Sequence, residues 1–223
     1  RALTELAPDD GVTRAVLVVH RGRLVFEHYG PETDRTTTLQ SWSMAKSMLH
    51  ALVGRLVGRG ALDLDAPAPV PEWQGPEDPR AAIRWRDLLR MRPGLAFAED
   101  YVDSDVSDVI EMLWGRGRDD VAAYAASKAL VAEPGTRFNY SSGTSNIVSR
   151  AVGQLVGDGE AGMLRFMQDG LFGPLGMHSP VPKFDAAGTW KGSSFCFCTA
   201  EDFARFGLLY LRGGQWDGAP LLP

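Results

Sequence analysis

Ser43 and Lys46 stand three residues apart, in Ser43-Met44-Ala45-Lys46, at the head of an apolar run. On a helix, residues at that spacing share a face, so the hydroxyl and the amine would lie side by side, one turn apart. Loss of water inside an apolar helix favours the neutral amine, the form that can take a proton from a serine. A helix N-terminus, with its free N–H groups and dipole, favours the negative charge that an attacking serine develops. Ala45 leaves the pair room. Taken alone, the same residues also fit an N-cap serine followed by a surface lysine.

A second stretch, Phe138-Asn139-Tyr140-Ser141-Ser142-Gly143, precedes another helical pattern. A tyrosine at the end of a loop can deliver its phenol oxygen to a neighbouring site. Close to a lysine ammonium it gives up its proton more readily and becomes a plausible proton acceptor. Alone, it also fits a core tyrosine with Ser141 or Ser142 capping the helix.

These residues need elements to hold them. Residues 15–20 and 24–29 are β-branched or aromatic runs about Arg21-Gly22-Arg23, and predict a β-hairpin turning at Gly22. Residues 36–40 predict a linker or short strand. From Ser43 to Val57, Met44, Met48, Leu49, Leu52, Val53 and Leu56 recur near 3.6-residue spacing, and Gly58 and Gly60 stop the helix. Pro67, Pro69, Pro71, Pro76 and Pro79 predict a surface loop. Ile83 to Met91 predicts a short helix ended by Pro93-Gly94. Residues 95–108 are acidic and irregular, a solvated loop or one that rims the site. Helical patterns return at 106–114, 121–129, 145–156 and 162–171, and 192–198 predicts a strand. Thr199 then opens an amphipathic helix to Leu211, with Asp202 at its third position and Gly213-Gly214 at its end. Strands at both chain ends around a helical middle predict a sheet whose partners come from both ends, with helices inserted between.

Composition excludes several classes. The 223 residues are 44% hydrophobic, with a net charge of -5 and no basic block, so a nucleic-acid partner is not expected. No stretch is long and apolar enough to span a membrane. Cys196 and Cys198 fall on one side of a strand; an i, i+2 disulfide is strained and the pair lacks further metal ligands, so both are expected free and packed. Free thiols fit a reducing, cytoplasmic location. The sequence opens on Arg1 with no signal peptide, although a leader removed ahead of it would place the protein in the periplasm or outside the cell. No metal and no cofactor is expected: the acidic residues of 99–108 lack EF-hand spacing, and no phosphate-binding glycine loop occurs. A Ser-His-Asp triad would draw on His20, His28, His50 or His178, but no Gly-x-Ser-x-Gly elbow accompanies them.

Together, the two motifs resemble those of the serine β-lactamase and penicillin-binding protein superfamily, and more closely its class C, carboxylesterase and 6-aminohexanoate-dimer hydrolase branch. Arg86-Asp87-Leu88-Leu89-Arg90-Met91 with Gly94-Leu95, Glu99-Asp100-Tyr101, Gly192-Ser193-Ser194 and residues 199–206 extend the likeness in order along nearly the whole chain. The resemblance implies an acyl-enzyme mechanism, with Ser43 as nucleophile, Lys46 as general base or as the charge that tunes it, and Tyr140 as second proton-transfer residue. It implies Tyr101 and Ser142 as substrate contacts. Ser142 stands where class C β-lactamases carry Asn, a departure that favours an esterase or amidase acting on a small ester or amide. A β-lactamase, a penicillin-binding D-peptidase and a non-catalytic penicillin-recognising sensor stay open as alternatives.

The implied fold is β-lactamase/transpeptidase-like, α/β plus all-α: an antiparallel sheet flanked by helices, with an inserted helical domain. Residues 1–40 and 180–223 would form the sheet domain, and 41–179 the helical domain that carries the active-site helix. The Ser43 N–H would supply half of the oxyanion hole. The family draws the other half from a later Lys-Thr-Gly or His/Gly-containing motif, and none follows Tyr140. The expectation is therefore a protein truncated at Pro223, whose missing C-terminal segment completes the sheet, and a fragment inactive or unstable alone. A homodimer is a further open expectation.

Overall fold

The computed structural model describes residues 11–75, 77–103 and 106–223; Arg1 with its polar opening, Pro76, Ser104 and Asp105 lie outside them. Strand β1 (Ala15–His20) pairs antiparallel with β2 (Arg23–Tyr29). Arg21 (φ 50°) and Gly22 (φ 77°) both turn left-handed, which suits the twist of a two-residue hairpin. Strand β3 (Thr38–Gln40) follows, then helix α1 (Met44–Gly58).

The middle of the chain is helical: α2 (Trp85–Leu89), α3 (Asp108–Leu113), α4 (Val121–Ala126), α5 (Ser142–Val156) and α6 (Gly159–Met167), which runs on into a π-turn at Gln168–Phe172. Strands β4 (Val181–Pro182) and β5 (Cys196–Thr199), helix α7 (Ala200–Leu211), and strands β6 (Gln215–Trp216) and β7 (Ala219–Pro220) complete the order. Strands from both chain ends do pair: β5 lies between β3 and β4, all antiparallel. The β1–β2 hairpin is a ladder of its own, and α7 packs against β1.

Local differences from the sequence expectations have physical causes. Helix α5 begins at Ser142 rather than Ser145, because the Ser141 hydroxyl caps the Thr144 N–H at 2.9 Å. Residues 192–194 lie outside the predicted strand: Ser194 and Phe195 N–H turn back onto the Lys191 carbonyl, each at 3.0 Å, and β5 starts only at Cys196. The proline-rich segment is more than a surface loop. It buries Ala68, Val70 and Trp73, whose indole N–H donates to the Ala126 carbonyl at 2.9 Å. Met44 is exposed, so the buried face of α1 runs instead through Ala45, Met48, Leu49, Leu52, Val53 and Leu56. Those residues join one apolar cluster with Trp73, Leu88, Ile147, Met167, Trp190 and both cysteines. The thiols are free and buried, with their sulfurs 3.7 Å apart. No helix among the described residues is long and apolar enough to cross a membrane.

Candidate active site

The site forms where α1, the loop entering α5 and the turn before β5 meet. Ser41 is buried and fastens the start of α1 to β5: its hydroxyl donates to the Ser194 carbonyl at 3.1 Å and accepts the Cys196 N–H at 3.0 Å. Trp42 then bends the chain sharply at φ 45°, an uncommon conformation for a bulky residue. Its ring sits 6.1 Å from that of Phe195 and 6.5 Å from that of Trp114, within the range of favourable aromatic pairs. Ser43 holds the N-cap position, yet its side chain makes no capping bond.

Instead the Ser43 hydroxyl meets two proton-bearing groups. Lys46 Nζ lies 3.1 Å from Ser43 Oγ, and Tyr140 Oη lies 2.8 Å from it. Lys46 is half-buried rather than a free surface cation. It also donates to Ser142 Oγ at 3.1 Å and to the Ser193 carbonyl at 2.9 Å, and it lies 5.0 Å from the centre of the Tyr140 ring. The turn at 192–195 leaves that carbonyl free of the strand ladder and pointed at the amine.

The loop that delivers Tyr140 is pinned by Asn139. Its backbone N–H donates to the Met91 carbonyl at 2.8 Å, and its side chain donates to the Phe97 carbonyl at 3.0 Å. Gly143, one turn on, is needed for close approach: a Cβ there would stand 2.4 Å from the Phe97 ring and 2.9 Å from Ala125 Cβ.

Ser43, Lys46, Tyr140 and Ser142 thus converge on one point. Tyr101 belongs to the same site by a different route. Its ring is exposed, but its hydroxyl donates to Glu99. Partial loss of water at the hydroxyl end, reinforced by that carboxylate, pushes the Tyr101 phenol above its ordinary value. Glu99 also accepts Ser142 Oγ at 2.5 Å and Ser142 N–H at 2.7 Å.

Sequence reasoning gave no role to Glu99, Ser193 or Asn146. Asn146 is fully buried and accepts the Ser193 N–H at 3.2 Å, and Ser149 donates to the Trp190 carbonyl at 2.7 Å. Ser142, Asn146 and Ser149 sit at i, i+4 and i+7 of α5, a buried polar stripe that meets Lys46 directly through Ser142 and holds the 190–193 backbone through Asn146 and Ser149. That stripe was a readable signal in the sequence.

A cavity of about 360 Å³ opens beside Ser43, Lys46 and Tyr140, walled by Leu49, Leu88, Leu89, Met91 and Val148. His50 lines it too, but the side chains bonded to Ser43 are Lys46 and Tyr140. Among the described residues, no group of three or more His, Cys, Asp or Glu side chains could hold a metal.

The family model described as Beta-lactamase matches residues 9–219. The chain belongs to the Beta-lactamase family. Solved structures of this type share its fold. A Bacillus anthracis protein that carries the name 6-aminohexanoate-dimer hydrolase is 21% identical, with a TM-score of 0.83 over 96% of this chain and 58% of that one. A class C beta lactamase from Rhodobacter sphaeroides is also 21% identical, with a TM-score of 0.63 over 93% of this chain and 62% of that one. The D-amino acid amidase from Ochrobactrum anthropi SV3 is 21% identical, with a TM-score of 0.58 over 85% of this chain and 59% of that one. The chain therefore spans less than two thirds of the length of each. Among curated proteins, none matches. The family and these Beta-lactamase-like neighbours are hydrolases of the serine β-lactamase type.

Proposed function

We propose that the protein is a serine hydrolase that cleaves a small ester or amide through an acyl-enzyme. The observation that carries this reading is the convergence of the Lys46 amine and the Tyr140 phenol on one hydroxyl, that of Ser43. As the base, Lys46 accepts the Ser43 proton while Ser43 Oγ bonds to the substrate's carbonyl carbon. The Ser43 N–H, at the head of α1, offers one donor to the oxyanion that forms. Collapse of the tetrahedral intermediate breaks the bond to the leaving group, which takes its proton from Lys46 by way of Tyr140. Water then attacks the acyl-Ser43 ester and gives a proton to the same pair; the bond to Ser43 Oγ breaks, the pair returns that proton to Ser43, and the acid leaves. No step needs a cofactor.

The apolar cavity beside Ser43 suits an uncharged acyl or leaving group. Ser142 in place of an amide side chain beside Lys46 supports the esterase or amidase branch over β-lactam turnover. Short and medium p-nitrophenyl esters tested beside nitrocefin on the full-length protein check the reading. Ester turnover that Ser43→Ala abolishes is expected. Nitrocefin as the better substrate would instead favour a β-lactamase. A folded protein that acts on neither and forms no covalent adduct would favour a sensor.

A further inference from the structure

We propose that Glu99 is a positioning residue for acylation, acting through Ser142 to aim the lone pair of Lys46 at Ser43; the inference rests on the serine-hydrolase reading above. Ser142 Oγ stands between two partners, 3.1 Å from Lys46 Nζ and 2.5 Å from Glu99 Oε1. A hydroxyl has one proton to give, and a carboxylate only accepts. The Ser142 proton is therefore committed to Glu99, and Ser142 can do nothing toward Lys46 but accept. The Ser193 carbonyl, 2.9 Å from Lys46 Nζ, can likewise only accept.

To act as the base in the reaction proposed above, the Lys46 amine must be neutral, and a neutral amine among these three neighbours has one arrangement. It has two N–H bonds and one lone pair. Ser142 Oγ and the Ser193 carbonyl take the two N–H bonds. The lone pair then faces the third neighbour, Ser43 Oγ at 3.1 Å, which is the group with a proton to surrender. Without the carboxylate, the Ser142 hydroxyl is free to turn its proton onto the Lys46 lone pair. The amine would then donate to Ser43 instead of accepting from it, and the base would be blocked by its own neighbour.

Glu99 is itself held for the task. Its Oε2 accepts the Ser142 backbone N–H at 2.7 Å, at the N-terminus of the 15-residue helix α5, where a negative charge is favoured. Its Oε1 accepts the Tyr101 phenol as well, and Tyr101 stays protonated because partial desolvation of its hydroxyl and the carboxylate both push the phenol up. The neighbouring Asp100 does different work, accepting the N–H groups of Val102 and Asp103 at 2.7 and 3.0 Å within its own loop.

The test is a double-mutant cycle in the full chain with Glu99→Gln and Ser142→Ala, read by kcat and KM on a p-nitrophenyl ester and by thermal melting. Glutamine keeps the size of Glu99 but sets an amide N–H2 against Ser142, which turns the serine's proton toward Lys46. The expected loss in kcat is about 10- to 100-fold, a part of what general-base catalysis supplies, with KM changed by less than about twofold. With the Ser142 hydroxyl removed, Glu99→Gln should cost little more, so the kcat losses are strongly non-additive. A purely structural role would couple the melting temperatures and leave the kcat losses additive. Glu99→Ala gives an independent route: acetate should restore kcat and acetamide should not. Additive kcat losses, a rise in KM at unchanged kcat, or no acetate rescue would overturn the inference while leaving the serine-hydrolase reading intact. A wild-type protein that neither turns over the ester nor takes a fluorophosphonate on Ser43 would overturn both.

Discussion

The Tyr140 phenol oxygen lies 2.8 Å from the Ser43 hydroxyl oxygen, although 97 residues separate the two in sequence. Two loops make that contact. The strained turn at Trp42 presents Ser43 at the head of α1, and Asn139 pins the chain just before α5 so that Tyr140 projects over it. The Tyr140 ring also lies against the Lys46 amine, with 5.0 Å between nitrogen and ring centre. The ring and the hydroxyl therefore make separate contacts.

Tyr140→Phe removes the oxygen and keeps the ring against Lys46. The expected result is a fall in kcat of roughly 10²- to 10⁴-fold, with KM little changed, in steady-state assays on an ester substrate. A kcat within about twofold of wild type would mean that the phenol moves no proton.

Gly143→Ala should destabilise the protein, because the new methyl would meet the Phe97 ring at 2.4 Å and Ala125 at 2.9 Å. Overpacking of this kind costs about 1–3 kcal/mol, read from urea denaturation. Unchanged stability would show that α5 and the 95–98 loop pack less tightly than described.

Asn146→Ala leaves the buried Ser193 N–H without its acceptor, since Asn146 Oδ1 is its partner at 3.2 Å. An unpaired buried donor costs about 1–3 kcal/mol. Because Ser193 carries the carbonyl that accepts Lys46, kcat should fall as well. A stability loss with full activity would show that the 192–195 turn keeps its carbonyl aimed without Asn146.

Asp202 gives the pH dependence a sign. Burial alone would raise its carboxyl. Hydrogen bonds from Ser179 and the Arg205 guanidinium outweigh that and hold it below the ordinary value. A carboxyl lowered in the folded state contributes stability that is fully present above its unfolded value, near pH 4, and is lost as pH falls through the folded value. Asp202→Asn should lower the melting temperature at pH 7 and flatten the acid limb of the stability curve. An unchanged acid limb would rule out this carboxylate as a source of acid sensitivity.

The parts of the site that sequence reasoning reached are those written in local spacing. Ser43 and Lys46 share a helix face by their three-residue separation, and Tyr140 stands at a loop-to-helix junction marked by Ser141-Ser142-Gly143. The hairpin was equally legible from its β-branched runs about Gly22. What stayed hidden depends on contacts between distant segments. Glu99 reaches Ser142 across 43 residues, and Lys46 reaches the Ser193 carbonyl across 147. Ser193 lies where periodicity predicts a strand, and nothing local marks the turn onto Lys191 that frees its carbonyl. The polar stripe of α5 could have been read, because buried helices seldom carry Ser, Asn and Ser on one face without a partner.

The most direct measurement is to incubate the full-length protein with a fluorophosphonate and map the adduct by mass spectrometry. One covalent adduct is expected, on Ser43, absent from Ser43→Ala and slowed in Lys46→Met and Tyr140→Phe. A folded protein that takes no label, or one labelled at another residue, would contradict it.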